Sequence, residues 1–95
     1  MDMGLKGKIA LITGAAGGIG SATARLLADS GVTVALFDRD GHGASALAQE
    51  LELSGARVLA GAFDVCRLQE FEDAVERTES ELGGIDFIIN VAGGG

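Results

Sequence analysis

Short apolar segments alternate along this chain with longer amphipathic ones. Four nearly continuous apolar runs are rich in Val, Ile, Leu and Phe, a pattern typical of strands buried on both faces of a parallel sheet. The runs are Lys8–Thr13, Thr33–Asp38, Arg57–Phe63 and Asp86–Val91. We therefore predict four strands, each with both faces covered.

Three helices are predicted between these strands. Apolar residues recur there every three or four positions, which is the spacing of a helix with one buried face. The stripes are Ile19, Ala22, Thr23, Leu26 and Leu27, then Ala44, Leu47, Ala48 and Leu51, and then Leu68, Phe71, Val75, Thr78 and Leu82. The segments are followed by Gly31, Gly55 and Gly83-Gly84, and glycine is common just beyond a helix end.

The alternation of strands and helices predicts the fold class. Strands connected through helices form a parallel sheet with right-handed crossovers and helices on both faces. We expect an α/β fold: a three-layer Rossmann-type βαβαβαβ unit with strand order 3-2-1-4, incomplete relative to the full doubly wound sheet. The 95 residues contain no linker or low-complexity stretch, so we expect one domain over residues 1–95.

Charge and composition narrow the range of partners. Seven basic residues against 14 acidic ones leave a net charge of −7, which argues against nucleic acid and anionic membranes as partners. No apolar run approaches the ~20 residues that span a bilayer, and the first residues lack a signal-peptide pattern. The single cysteine, Cys66, and the single histidine, His42, predict neither a disulfide nor a metal site. We expect a cytoplasmic protein in which Cys66 is a packing residue.

The stretch Thr13-Gly14-Ala15-Ala16-Gly17-Gly18-Ile19-Gly20 is the strongest candidate for chemistry. Glycine permits close approach of a ligand to the backbone, and a helix start offers unpaired N–H groups to an anion. A turn between a strand and a helix therefore predicts a phosphate site, the alternative being a loop that only makes a tight corner. A Walker loop is excluded, because no Gly-Lys-Ser or Gly-Lys-Thr follows.

Asp38 ends the second predicted strand, 18 residues after Gly20. A carboxylate in this position can accept hydrogen bonds from the adenosine ribose hydroxyls, and it would repel a 2′-phosphate. This favours NAD(H) over NADP(H), although the neighbouring Arg39 can pair with a 2′-phosphate. The alternative is that Asp38 serves only a turn or a helix cap.

The next two strands also end in polar residues, and all of these ends meet at one rim of a parallel sheet. Asp64 is expected to cap the following helix or to accept from the adenine amino group, and the two roles are compatible. Asn90 either ties neighbouring strands together or contacts the ligand. The terminal Gly93-Gly94-Gly95 either lies close to a nicotinamide or frays.

The motif Thr13-Gly14-x-x-x-Gly18-x-Gly20 resembles the cofactor loop of the short-chain dehydrogenase/reductases. The opening Leu5-Lys6-Gly7-Lys8, the strand-end Asp38, Phe63-Asp64-Val65 and Asn90-Val91-Ala92-Gly93 are similar to further motifs of that family in order and spacing. Val91 is a departure, since the family more often has a second Asn there. The resemblance covers essentially the whole chain.

The resemblance implies a dinucleotide site and hydride transfer between NAD(H), with NADP(H) less favoured, and an alcohol or carbonyl. The residues implied are Gly14, Gly17, Gly18, Ile19 and Gly20 at the pyrophosphate, Asp38 and Arg39 at the adenine ribose, Asp64 and Val65 near the adenine, and Asn90, Ala92 and Gly93 near the nicotinamide.

No catalytic residue can be assigned. The family's catalytic set is a Ser with a Tyr-x-x-x-Lys motif further along the chain, and this sequence contains no Tyr. The chain resembles the amino-terminal portion of such an enzyme and is predicted to be inactive alone.

Two other interpretations stay open. The chain could be a non-catalytic, self-associating unit without a working cofactor site, since the unpaired edge of the fourth strand predicts a homo-oligomer. It could also be another Rossmann protein, such as a methyltransferase, which the glycine spacing fits less well.

Overall fold

The computed structural model describes residues 4–64 and 67–91. The predicted alternation of strands and helices is confirmed. The elements are β1 (Ile9–Thr13), α1 (Gly18–Asp29), β2 (Thr33–Asp38), α2 (Gly41–Leu53), β3 (Val58–Ala62), α3 (Leu68–Leu82) and β4 (Phe87–Asn90). Each strand lies within the apolar run that predicted it.

All strand pairs are parallel, and the order β3-β2-β1-β4 is the one predicted. In the register, Thr13 lies opposite both Phe37 and Asn90, and Asp38 lies opposite Ala62. The carboxyl ends of the strands therefore share one rim of the sheet, which brings the predicted polar positions to the same side of the molecule.

Two apolar layers cover the sheet because successive side chains of a strand point to opposite faces. Ala10, Ile12 and Leu36 pack with α1 and α2 on one face, whereas Leu11 and Phe37 pack with α3 on the other. The central strands β1 and β2 are almost entirely buried, as their continuous apolar character predicts.

The expectation that all four strands are buried on both faces is wrong for β3 and β4. Each lies at an edge of the described sheet, where fewer side chains of the described helices pack over its faces. In β4, Phe87 is 39% exposed and Ile88 is 50% exposed. Apolar composition alone does not distinguish a central strand from an edge strand, because both bury apolar side chains in some context.

The predicted buried stripe of α1 is also wrong. The buried residues are Gly20 and Ala24, with Leu27 and Ala28 partly buried, whereas Ile19 and Leu26 are 74% and 69% exposed. Small residues face the sheet because α1 starts immediately after the glycine loop and lies against its backbone. Residue size at the contact, not hydrophobicity alone, sets which face is buried.

The other two stripes compare differently with the structure. The stripe of α2 is confirmed, since its buried residues are those predicted: Ala44, Leu47, Ala48 and Leu51. In α3, Thr78 and Leu82 are buried as predicted and Phe71 and Val75 are partly buried. Leu68 is 70% exposed, and Ala74, which was not predicted, is buried. Leu68 is the first residue of α3, so no preceding turn of helix covers it.

One ion pair joins α1 to α2. Arg25 donates to the carboxylate of Glu50 across 2.7 Å. This hydrogen bond lowers the pKa of Glu50 and raises that of Arg25. Both side chains are about half exposed, so the pair orients the two helices relative to each other and adds little to stability.

Candidate functional site

The glycine loop after β1 folds tightly against its own helix. Gly14 has a positive φ of 70°, a conformation that favours glycine. Gly20 is buried in the first turn of α1, where a Cβ atom would lie only 2.0 Å from the carbonyl oxygen of Gly14. The loop and helix can be this close only because residue 20 has no side chain.

The start of α1 is left open by the protein's own side chains. Gly17 precedes the helix and makes no side-chain cap, and the first turn contains no acidic residue. A Cβ atom at Gly18 would meet nothing within 4 Å. The first-turn N–H groups and the positive end of the helix dipole therefore face accessible space.

The other helices of the described residues begin differently. Asp40 caps α2, its carboxylate accepting from the N–H of Gly43 at 2.9 Å. The first turn of α3 carries Glu70, which accepts from the N–H of Asp64 at 2.9 Å. Among the helices of residues 4–64 and 67–91, α1 alone starts with neither a capping side chain nor an acidic group, so its start is the one suited to an external anion.

Asp38 links the end of β2 to the glycine loop. One carboxylate oxygen accepts from the N–H of Ala16 at 3.0 Å, and the other accepts from the N–H of Asp40 at 2.8 Å. The second contact is the local turn that was the alternative reading of this residue. A carboxylate has about four acceptor positions, so both contacts leave capacity for ribose hydroxyls.

A second hydrogen bond holds the loop in place. The N–H of Ala15 donates to the carbonyl of Phe37 at 3.3 Å. Together with the Asp38 contact, it attaches two successive loop residues to the end of β2. The backbone of the loop is thus held in place by contacts within the chain.

Arg39 and Asp64 border one shallow depression between the ends of β2 and β3. The depression has a volume of about 290 Å³ and is lined by Arg39, Ala62, Phe63, Asp64 and Glu70. Arg39 is exposed and makes no ion pair with any residue that the structure describes. Asp64 is partly buried, and its backbone carbonyl accepts from the N–H of Arg67 at 3.0 Å.

The start of α3 is joined to the end of β3 by a side-chain contact, and the predicted capping role of Asp64 stays a prediction. Arg67 is the residue that precedes the helix, and its side chain makes no capping hydrogen bond. The Glu70 carboxylate accepts a hydrogen bond from the N–H of Asp64. The start of α3 and the end of β3 are joined through this contact.

Asn90 ties β4 to β1. The hydroxyl of Thr13, which is fully buried, donates to the side-chain oxygen of Asn90 at 2.6 Å. The N–H of Val91 donates to the carbonyl of Thr13 at 3.1 Å. The strand-tying role, one of the two alternatives for Asn90, is therefore present, and its contact with a ligand stays a prediction.

The structure thus brings Gly14, Gly17, Gly18, Ile19, Gly20, Asp38, Arg39, Asp64 and Asn90 to one rim. Val65, Ala92 and Gly93, which the resemblance also implied, lie outside the described residues. Within residues 4–64 and 67–91 no helix has the length and apolar character to cross a membrane. Nor does any group of three or more His, Cys, Asp or Glu side chains there form a candidate metal site.

Gly43 packs against the glycine loop, and the sequence analysis did not single it out. A Cβ atom there would lie 2.6 Å from a carboxylate oxygen of Asp40 and 2.8 Å from the Cβ of Ala16. The start of α2 therefore packs directly on the glycine loop. The signal in the sequence was a glycine inside a helical pattern, which usually has a packing reason because glycine is unfavourable there.

Comparison with known proteins identifies the family. The short chain dehydrogenase model matches residues 8–95. The chain is 40% identical over 90 residues to the 2,3-dihydro-2,3-dihydroxybenzoate dehydrogenase of Bacillus subtilis (strain 168), a match covering 95% of this chain and 34% of that protein. The chain therefore spans about a third of the length of the curated relatives it matches.

Solved structures show the same relationship. A hydroxysteroid dehydrogenase from Escherichia coli superposes with a TM-score of 0.91 at 34% identity, covering 95% of this chain and 38% of the other. A 3-ketoacyl-(acyl-carrier-protein) reductase from Brucella melitensis complexed with NADH gives 0.82 at 39% identity, covering 88% and 33%. The strand order and the glycine loop agree with these matches. The chain belongs to the short-chain dehydrogenase family and corresponds to a part of that family's fold.

Proposed function

We propose that this chain is the NAD(H)-binding portion of a short-chain dehydrogenase/reductase whose complete form oxidises an alcohol or reduces a carbonyl. The carrying observation is that the open start of α1 and the Asp38 carboxylate meet at one loop, through the 3.0 Å contact between Asp38 and Ala16. A helix start that can bind an anion suits the diphosphate of an adenosine diphosphate. A carboxylate beside it suits the ribose. The bound nicotinamide supplies the hydride chemistry.

The phosphate side of the proposed site relies on the backbone. The N–H groups that begin α1 would donate to the diphosphate, and the absence of side chains at Gly17 and Gly18 leaves room for close approach. No basic side chain occupies this helix start, so the dipole and the N–H groups would carry the recognition of charge.

The choice between NAD(H) and NADP(H) depends on Asp38 and Arg39. Asp38 is held by two backbone N–H groups, which fix its charge at the end of β2, where the ribose is proposed to lie. A 2′-phosphate would be placed against this carboxylate, whereas Arg39 is exposed and not anchored to another described residue. A fixed negative charge outweighs a long side chain that must be ordered on binding, and this supports NAD(H).

The adenine is proposed to occupy the depression between Arg39 and Asp64. Its lining combines the Phe63 and Ala62 side chains with polar groups from Asp64 and Glu70. An aromatic base needs an apolar surface with a few hydrogen-bonding groups at its edge, and this depression offers both.

The test is a calorimetric titration of the chain with NADH and with NADPH. NADH is expected to bind more tightly. Asp38→Asn keeps an oxygen for the Ala16 N–H but removes the charge. It should therefore weaken NADH binding and reduce the difference in affinity between NADH and NADPH. Asp38→Ala also loses the hydrogen bonds and should cost ~1.5–3 kcal/mol, the scale for hydrogen bonds to a charged group.

The matched control is Asp29→Asn, which removes the same charge at the far end of α1. It should leave both affinities unchanged. Tighter binding of NADPH would reverse the cofactor assignment. A folded chain that binds neither nucleotide would contradict the proposal and favour the alternative of a fragment without a working cofactor site.

A further inference from the structure

The start of α2 is joined to the glycine loop by a closed set of contacts, here termed the α2–loop ring. Its members are Ala16, Asp38, Asp40 and Gly43. The two carboxylate oxygens of Asp38 accept from the N–H groups of Ala16 and Asp40 at 3.0 and 2.8 Å. The Asp40 carboxylate accepts from the N–H of Gly43 at 2.9 Å, and Gly43 lies against the side chain of Ala16. The Asp38 carboxylate is therefore connected to α2 by two routes.

The ring closes at Gly43, where no room is left for a side chain. A Cβ atom at residue 43 would lie 2.6 Å from a carboxylate oxygen of Asp40 and 2.8 Å from the Cβ of Ala16. The Asp40 carboxylate can rotate away, although rotation breaks its hydrogen bond to Gly43. The Cβ of Ala16 is bonded directly to the backbone, so it can move away only together with the loop.

The backbone conformation does not require a glycine at position 43. Gly43 lies in the first turn of α2 and has no positive φ, so alanine is conformationally allowed there. Alanine is also the better helix former. The close packing against Ala16 and Asp40 supplies a reason for glycine that helix formation does not.

A displacement of Ala16 would act directly on the Asp38 carboxylate. The N–H that donates to Asp38 belongs to the same residue whose Cβ would be pushed, and a hydrogen bond weakens as its angle departs from linearity. The neighbouring N–H of Ala15 donates to the carbonyl of Phe37 at 3.3 Å. A shift of the loop at Ala16 would therefore disturb both of these attachments to the end of β2.

We propose that Gly43 is a positioning residue of the nucleotide site. Its missing side chain allows α2 to hold Ala16, and through Ala16 the Asp38 carboxylate, in the arrangement that receives the adenosine ribose. This inference rests on the proposed function and adds a residue that does not itself touch the nucleotide. The Asp40 contact of Gly43 serves the stability of α2, whereas the Ala16 contact serves the site.

Gly41 provides a matched control in the same turn of α2. A Cβ atom there would lie 2.8 Å from the Cβ of Ala62, the same separation as between a Cβ at residue 43 and Ala16. Ala62 belongs to β3, so this overlap presses α2 against the sheet and not against the loop. Gly41→Ala and Gly43→Ala both introduce overpacking, and only the second directs it at Ala16.

The first experiment measures the amide proton of Ala16 by NMR in the chain without nucleotide. Asp38→Ala gives the chemical shift of this amide when its carboxylate partner is absent. Gly43→Ala should move the resonance from its wild-type position toward that reference, whereas Gly41→Ala should leave it near the wild-type position. A resonance that Gly43→Ala leaves unmoved overturns the proposal, and so does an equal shift in both glycine variants.

The second experiment is a double-mutant cycle measured by NADH titration. Gly43→Ala should raise the Kd for NADH about tenfold, as expected when one hydrogen bond of the site is lost. In an Ala16→Gly background the contacting Cβ is absent, so the same substitution should raise the Kd by no more than about threefold. A purely structural effect through Asp40 would persist in both backgrounds. Equal losses of affinity in the two backgrounds therefore overturn the proposal.

The two experiments separate this inference from the proposed function. A folded wild-type chain that binds neither nucleotide contradicts the proposed function, while the Ala16 resonance, which is measured without nucleotide, still decides whether Gly43 holds Ala16 at Asp38. If Gly43→Ala alone does not fold, the double variant with Ala16→Gly takes its place. Recovery of the fold in that double variant supports the contact, and a double variant that is equally unfolded overturns it.

Discussion

At the scale of the residue, the glycines of the cofactor loop have different physical tasks. Gly20 allows two backbone segments to touch, since a Cβ atom there would lie 2.0 Å from Gly14. Gly18 has open space beside it, so its lack of a side chain matters only when something fills that space. A pattern of glycines in the sequence does not separate these tasks, whereas the distances do.

The difference predicts opposite responses to the same substitution. Gly20→Ala should destabilise the chain by about 1–3 kcal/mol, the scale of overpacking in a tight site. Gly18→Ala should leave stability unchanged or raise it by up to ~1 kcal/mol, because alanine is the better helix former, while weakening NADH binding. Urea unfolding and NADH titration measure the two effects. Equal loss of stability in both variants would contradict the assignment.

At the scale of the element, α1 shows how a helix can be predicted correctly and its buried face incorrectly. Its apolar stripe is real, but the side packed on the sheet carries Gly20 and Ala24. The large residues Ile19 and Leu26 remain exposed in this chain. Periodicity reports which residues are apolar, and packing decides which of them can fit against the sheet.

The corrected face of α1 leads to a paired prediction. Ala24 is fully buried, whereas Ala22 is exposed. Ala24→Leu should cost about 1–3 kcal/mol, because extra methylenes must be forced into a filled space. Ala22→Leu should change the free energy of unfolding by no more than ~0.5 kcal/mol, as expected for a surface position. Chemical denaturation of both variants provides the measurement, and a reversed order would restore the face that the sequence predicted.

At the scale of the whole molecule, the sheet is unevenly supported. Its centre, β1 and β2, is paired on both sides and covered on both faces, whereas β3 and β4 are paired on one side only. A parallel sheet is normally covered on both faces. The exposed apolar side chains of β4 lie at this edge of the described sheet.

This unevenness predicts the order of amide hydrogen exchange. Amides of Leu11 and Leu36, which are fully buried in the central strands, should exchange last, through global unfolding. The register directs the backbone groups of Phe87 and Ile89 toward β1. The amides of Ile88 and Asn90 therefore lie at the edge of the described sheet and should exchange fast. Exchange measured by NMR in dilute solution checks both statements. Protection of Ile88 equal to that of Leu11 in dilute solution would contradict this picture of the edge.

The local pattern was enough to predict several features. The strand–helix alternation and the sharing of one rim follow from short-range periodicity and from parallel βαβ connections. The strand order was predicted from the known doubly wound arrangement. The glycine loop and the strand-end residues Asp38, Asp64 and Asn90 followed in the same way, because each depends on neighbours a few positions away. Their proposed contacts with a nucleotide stay predictions.

Contacts between distant residues were decided by the fold alone. The bond from Ala16 to Asp38, the tie between Thr13 and Asn90 and the packing of Gly43 on the loop depend on angstrom-scale placement of separate elements. The same holds for the buried face of α1 and the exposure of β4. Hydrophobic periodicity carries the direction of a side chain relative to its own helix or strand, but the distance to the next element is set only when the whole sheet is assembled.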